Sequence, residues 1–324
     1  MQSLSYWVVK ANEGEIREAK LFEKKESTLV KTLLSGVSTG TEKLVGKGNV
    51  PRSAFNFMSV PYMKGNFDLP IKYGYSLVGE PQSGDYKGSR IFVMHPHQNL
   101  CFVSNEDLFI LPDEISNEKA ILIPNMETAL NAIWDAELKQ KDRIGIVGAG
   151  TLGISVGFVL AAKDFNFVMI EKNTKRLKDS LELKWIPLSK SEASNQTQSY
   201  DIIFHTSGSS QGLQRSIDLG GFESRVIDLS WYGSNKVNLN LGESFHWERK
   251  KIISSQVSHI ALPKRKLIKK KDRLKEVIDL LRDPVLNKFR RHEVGFNNLP
   301  RFMKQLYANK DVGWSPIINY QNIS

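Results

Sequence analysis

Residues 143–163, RIGIVGAGTLGISVGFVLAAK, decide the fold. The first eight residues form an apolar run that ends in glycines, which predicts a buried strand and a tight turn. The remaining thirteen read as a helix. The turn holds Gly148, Gly150 and Gly153 in a GxGxxG spacing, with Ala149, Thr151 and Leu152 between them. A lone GxGxxG carries little weight, but one that follows a strand and opens a helix has the required context. The first glycine permits the turn, the second lets backbone approach a pyrophosphate, and the third lets helix pack on strand. The helix start then offers free N–H groups and a positive dipole end to phosphate.

An independent check lies downstream. FNFVMIEK predicts a second strand, and its Glu171 stands 23 positions beyond Gly148. An acid there suits the ribose hydroxyls of a dinucleotide and repels a 2′-phosphate, which favours NAD over NADP. Lys172, Lys175 and Arg176 pull the other way, so NADP stays as the alternative. Outward from this core the texture alternates. TKRLKDSLELK and QGLQRSIDLGG read as helices; YDIIFHTSG, SRVIDLSWYG and KKIISSQVS read as strands. Strand–helix alternation implies parallel strands and a doubly wound sheet. Ligands bind at the carboxyl ends of such strands. That marks Thr206, Ser207 and Ser230 as cofactor-binding candidates beside Gly148, Gly150, Thr151, Leu152, Gly153, Glu171 and Lys172.

The first ~110 residues differ. LSYWVV, TLVKTLL, YSLVGEP, SRIFVMH and NLCFVS are short apolar runs punctuated by Gly, Pro and Asn, a β-rich pattern. Ser116 or Asn117 suits the cap of a helix entering EKAILIP, and METALNAIWDAEL continues helically. The tail carries an amphipathic helix, KDRLKEVIDLLRD, and a short one, LPRFMKQLY. The expected division is a β-rich catalytic domain over 1–122, a dinucleotide domain over 123–260, and a return to the first domain over 261–324.

Composition agrees with a folded chain of 324 residues, 40% apolar and 25% charged. At roughly 100–200 residues per domain, two domains are expected. The single cysteine, Cys101, excludes an internal disulfide framework and a multi-cysteine zinc site. No apolar run reaches the ~18–20 residues that span a bilayer, and the N-terminus lacks a secretory pattern. The cytoplasm is the expected compartment. The net charge of +10 is concentrated: Lys264, Arg265, Lys266, Lys269, Lys270, Lys271, Arg273 and Lys275 stand against Asp272 alone. No aromatics interleave with them, which argues against single-strand nucleic-acid binding. The expected partner is a small-molecule substrate, with no nucleic acid and no membrane.

The order of these regions, with SGVSTGTE (35–42), YGYSLVGE (73–80), LPDEIS, METAL, VGAGTLG and SSQ, resembles the medium-chain dehydrogenase/reductase superfamily. The resemblance covers nearly the whole chain. It implies an α/β fold with a GroES-like β-rich domain and a Rossmann domain, an active site in the cleft between them, a backbone contact to the cofactor at Ser255, and often a homodimer. Zinc-dependent members carry a cysteine where this chain has Ser38, and Gly-His-Glu where it has Gly74-Tyr75-Ser76. Serine and tyrosine are poor zinc ligands, so neither a catalytic nor a structural zinc is expected. SGVSTGTE looks most like zinc-lacking members related to bacteriochlorophyllide dehydrogenase, which oxidise a hydroxyl on a tetrapyrrole side chain.

Hydride transfer belongs to the nicotinamide; the protein must polarise a carbonyl or manage a proton. His97, in the His95-Pro96-His97-Gln98 cluster, suits proton transfer. Tyr75 replaces the family's histidine ligand and can donate to a carbonyl. Thr41 matches a relay hydroxyl of the family, and Glu127 falls at the start of METAL. These four are the catalytic candidates. The expected activity is a zinc-independent, NAD(P)-dependent exchange of hydride with an alcohol or carbonyl. A quinone or enone reductase, or a nucleotide-binding relative without catalysis, are the alternatives.

Overall fold

The computed structural model describes residues 1–23, 25–181, 183, 199–289 and 291–321. It divides into two compact units. The first comprises residues up to Pro124, residues 233–235 and the C-terminal segment after Phe289; the second holds Asn125–Tyr232 and Lys236–Phe289.

Two sheets build the first unit. One has the order β2–β1–β5–β4, from β1 (Gln2–Lys10), β2 (Glu13–Lys20), β4 (Lys64–Gly65) and β5 (Ile71–Lys72). The other runs β15–β16–β3–β6–β7–β9, with β8 also on β3. Its strands are β3 (Ser27–Gly36), β6 (Leu77–Pro81), β7 (Ile91–Val93), β8 (Leu100–Ser104), β9 (Phe109–Ile110), β15 (Glu293–Gly295) and β16 (Ile317–Asn319). Pairing is antiparallel except at β15–β16. Alternation explains the burial: Thr28, Val30, Thr32 and Leu34 of β3 face inward, and Val30 joins Leu77, Ile91, Val93, Cys101 and Val103 in one core cluster. Short helices α1 (Thr41–Gly46), α2 (Phe55–Met58) and α3 (Asn117–Ala120) lie in the connections, and α10 (Leu299–Tyr307) returns from the tail. Ser116 caps α3, its hydroxyl accepting from the Lys119 N–H.

The second unit begins in the first turn of α4 (Ile123–Ala136). Its sheet is parallel, in the order β11–β10–β12–β13–β14: β10 (Ile144–Val147), β11 (Phe167–Ile170), β12 (Tyr200–His205), β13 (Gly220–Asp228) and β14 (Lys251–Ser254). The crossovers are α5 (Thr151–Ala162), α6 (Thr174–Leu181) and α7 (Ser210–Leu219); α8 (Ser244–Trp247) and α9 (Lys270–Leu281) follow. Residues 153–160 of α5 are all buried, as a helix apolar on every side requires. Leu213 and Ile217 of α7 fold onto Val147, Ile203 and Val226. Each such side chain is worth about 1.5–3 kcal/mol relative to exposure. The order reverses between β10 and β12, the switch point where such sheets bind ligands.

The structure changes two expectations and leaves a third outside the described residues. The return to the first unit follows Phe289 rather than residue 260, because Val277, Ile278 and Leu281 of α9 are buried within the second unit. β13 starts at Gly220, so the paired glycines belong to the strand and not to the helix before it. The last residues of the expected TKRLKDSLELK helix lie outside the described residues.

Candidate functional site

In the first unit, the turn from β3 into α1 carries Ser38, Thr41 and Glu42. The Glu42 N–H donates to the Ser38 carbonyl, and the Ser38 N–H donates 2.8 Å to Glu42 Oε1. Gly74, at φ +134°, turns the chain where a Cβ would press on Pro96 and the His97 ring at 3.2–3.3 Å. This delivers Tyr75, whose hydroxyl donates to Ser38 Oγ at 2.5 Å and lies 3.3 Å from Thr41 Oγ1. Burial pushes the Tyr75 phenol up from its usual value, so at neutral pH it remains a donor. Ser38, Thr41 and Tyr75 thus form a cluster of neutral hydroxyls at the position where the resemblance puts a metal.

His97 sits behind this cluster. Its Nε2 is 2.9 Å from Glu42 Oε2, and its Nδ1 is 2.7 Å from Ser35 Oγ, itself 2.8 Å from the Tyr320 hydroxyl. An ionised carboxylate can only accept, so Nε2–H donates to Glu42 and Nδ1 accepts from Ser35. Both ring nitrogens are used and the residue is 1% exposed. The expectation of a catalytic His97 changes accordingly: here it props Glu42, which holds the Ser38 turn. His95 is also buried, its Nδ1 2.8 Å from the Pro96 carbonyl. Burial, helped by the Lys72 charge, lowers it to about 3. Lys72 is buried too, donates to Gln98 Oε1 and is lowered by burial to about 8.

Zinc is held by thiolate, imidazole or carboxylate groups converging tetrahedrally. Among the described residues no three His, Cys, Asp or Glu form such a group. Ser38, Thr41 and a protonated Tyr75 do not fit that chemistry.

The second unit presents the glycine turn. Gly148 has φ +110°, and a Cβ there would meet Thr206 Oγ1 at 2.9 Å and the Ser207 N at 3.0 Å. At Gly153 a Cβ would lie 1.9 Å from the Gly148 carbonyl oxygen. Gly150 differs: its φ is −76°, and a Cβ would meet nothing within 4 Å. That opening is a cradle which a side chain would fill. No side chain caps α5 there, and Thr151 and Leu152 at its start are partly exposed, at the helix end whose dipole suits an anion. These residues fit a dinucleotide pyrophosphate. Glu171 accepts from the Ala149 N–H and the Asn173 N–H, both at 2.8 Å, which fixes its carboxylate beside the turn. Lys172 is exposed.

Thr206 Oγ1 donates 2.9 Å to the Gly148 carbonyl, tying β12 to the turn. His205 Nδ1 is 2.9 Å from Asp228 Oδ1 and its Nε2 is 2.7 Å from Ser207 Oγ. Tyr232 donates 3.0 Å to Asp228 Oδ2, and the Ser230 hydroxyl accepts from the Gly208 N–H at 3.0 Å. An imidazole that donates through Nδ1–H to Asp228 accepts at Nε2 from Ser207, whose Oγ also lies 3.0 Å from Ser209 Oγ. Ser255, where the resemblance implies a backbone contact to the cofactor, is buried and its hydroxyl donates 2.7 Å to Asp135. Glu127, at the start of α4, accepts from Arg273 Nε at 3.0 Å in an ion pair. Sequence reading missed Ser35, Tyr320 and Asp228. Ser35 and Tyr320 meet across 285 positions, which no local pattern signals, while Asp228 bonds Tyr232 four positions on and His205 23 positions back.

No family model matches the chain, and no curated protein matches it. Solved structures do. A protein described as a short chain alcohol dehydrogenase (rspB) from E. coli CFT073, complexed with NADH, is 14% identical, with a TM-score of 0.76 over 98% of this chain and 99% of that one. The 2R,3R-butanediol dehydrogenase of Bacillus subtilis is 17% identical, TM-score 0.73, over 98% and 100%. L-idonate 5-dehydrogenase of E. coli K-12 is 11% identical, TM-score 0.75, over 99% of both chains. A protein described as a zinc-binding dehydrogenase, from Clostridium scindens, is 14% identical, TM-score 0.75, over 99% and 100%. At these identities the likeness shows the fold alone: an α/β chain with a β-rich unit and a parallel-sheet unit, as in these solved structures.

Proposed function

We propose that the chain is an NAD(P)-dependent oxidoreductase that moves hydride between the nicotinamide and an alcohol or carbonyl without zinc. The observation that carries this reading is the open cradle at Gly150 between the strained Gly148 and the tightly packed Gly153. The coenzyme supplies or accepts the hydride when bound. The start of α5 holds its pyrophosphate, Glu171 accepts from ribose hydroxyls, and Ser207 accepts from the ribose nearer the reacting ring. Glu171 favours NAD, with exposed Lys172 as the counterweight. In the first unit, the Tyr75 phenol turns its one proton from Ser38 to the carbonyl oxygen, Ser38 then donates to the phenol oxygen, and Thr41 lies beside them. Removing hydride from an alcohol carbon leaves a hydroxyl proton, which passes to this hydroxyl cluster and on to solvent. Glu42 and His97 hold the Ser38 turn in register.

Placement in the zinc-lacking branch, nearest the bacteriochlorophyllide dehydrogenase-like members, is supported by Ser38 and Tyr75. A quinone or enone reductase is the second reading, favoured by the all-hydroxyl donor set, since conjugated alkenes need less carbonyl polarisation. Residence in the cytoplasm and a homodimer rest on the resemblance alone. The test is a screen of alcohols, aldehydes, enones and quinones with NADH and NADPH, using tag-free protein before and after chelation. Turnover that survives chelation, with far less than one zinc per chain, is expected. About one zinc per chain, with activity lost on its removal, overturns the metal-free reading.

A further inference from the structure

The basic run has no part in the proposed reaction, yet it is held with care. Arg273 is 3% exposed and binds three groups at once, two of them on α4. Its Nε donates to Glu127, and its Nη1 donates 3.0 Å to Asn131 Oδ1 and 2.8 Å to the Val257 carbonyl. Asn131 Oδ1, on the same helix α4, also accepts the Ala261 N–H at 3.1 Å. Both ends of residues 257–273 are therefore pinned to α4. Between them the chain folds into successive turns, with Lys264 N–H donating to Ala261, Arg265 N–H to Leu262 and Leu267 N–H to Lys264.

What these turns display is unusual. Leu262 is 73% exposed and Leu267 75%. Around them Lys264, Arg265, Lys266, Lys269, Lys270, Lys271 and Lys275 are exposed. The one acid in the run, Asp272, accepts the Lys269 N–H at the start of α9. Seven exposed cations thus face one carboxylate already used as a cap. A solvated charged loop does not need outward leucines, and a phosphate-backbone binder gains nothing from them. Cations that meet anionic headgroups, beside aliphatic side chains that enter the acyl boundary, are what a peripheral membrane contact requires.

We propose that residues 262–275 dock the protein on an anionic phospholipid surface, through headgroup contacts from the lysines and shallow insertion of Leu262 and Leu267. This revises the expectation of no membrane partner, which rested on the absence of a spanning segment. It is independent of the proposed chemistry, because none of these residues belongs to the glycine turn or the hydroxyl cluster.

The test is co-sedimentation of the full chain with phosphatidylcholine vesicles, with and without about 30 mol% phosphatidylserine. At about 0.1 M salt, binding to the anionic vesicles should exceed binding to neutral ones by at least tenfold, and weaken at about 0.5 M. The pair Leu262→Ser and Leu267→Ser, both exposed and so compatible with folding, should reduce binding about tenfold at unchanged melting temperature. Lys264→Glu with Lys266→Glu should abolish the preference for phosphatidylserine. Inorganic phosphate at matched ionic strength should not displace the protein. Equal affinity for neutral vesicles overturns the proposal, as does no vesicle binding. So does tight binding to random duplex DNA that the leucine variants leave intact, which makes the run a nucleic-acid surface. Sedimentation velocity showing that the leucine pair changes only oligomeric state overturns it in favour of a second copy.

Discussion

Gly150→Ala separates a coenzyme cradle from a glycine-tolerant turn. The native φ of −76° suits alanine, and its Cβ meets nothing within 4 Å, so the folded protein should accept the methyl without strain. Such a replacement usually stabilises by about 0.4–1 kcal/mol, because the unfolded chain loses freedom. The melting temperature should therefore hold steady or rise by about 1–3 °C. If a pyrophosphate packs against that backbone, the methyl occupies its space. Overpacking typically costs about 1–3 kcal/mol, hence roughly a 5- to 150-fold rise in Kd for NADH. The assay is NADH fluorescence titration beside differential scanning calorimetry. An unchanged Kd at unchanged stability would refute the placement of the coenzyme. Gly153→Ala is the contrast: its Cβ falls 1.9 Å from backbone oxygen, so it should lower the melting temperature itself.

Three further outcomes follow. Tyr75→Phe removes the phenol donor but keeps the ring, so kcat should fall about 100-fold with little change in KM; steady-state rates within about twofold of the parent would remove Tyr75 from the chemistry. His95 is lowered to about 3 in the fold against 6.5 unfolded. The unfolded chain therefore binds the extra proton first, and stability falls as pH drops from about 6.5 towards 3. At pH 4.5 the loss is on the order of 3 kcal/mol, which His95→Asn should lessen in urea melts. Lys72 is lowered to about 8 from 10.5, so the native state releases its proton first and stability rises between those pH values. Lys72→Met should flatten that rise, worth at most about 3 kcal/mol, in denaturant melts from pH 7 to 11.

The parallel-sheet unit was legible because its signals are local. Apolar strands, a glycine turn and an acid closing the next strand lie within about thirty residues, each with its own backbone reason. The β-rich unit was legible as a class from alternation and punctuation. The site behind Tyr75 was not. His97 looked like a proton carrier because sequence shows a histidine's chemistry but not its burial, and its partners Ser35 and Glu42 arrive from another strand and helix. Glu127 looked like a buried acid because its counter-ion, Arg273, stands 146 positions away. The return of the tail was placed too early for the same reason: α9 has the amphipathic period of a helix, but period does not say which core takes the apolar face.

The most direct test of the central claim is titration of the purified chain with NADH and NADPH, followed by tryptophan quenching and energy transfer to the nicotinamide from the chain's six tryptophans. Saturable binding with a Kd on the order of micromolar, tighter for NADH, is the predicted result. Binding of neither coenzyme would contradict the account at its root.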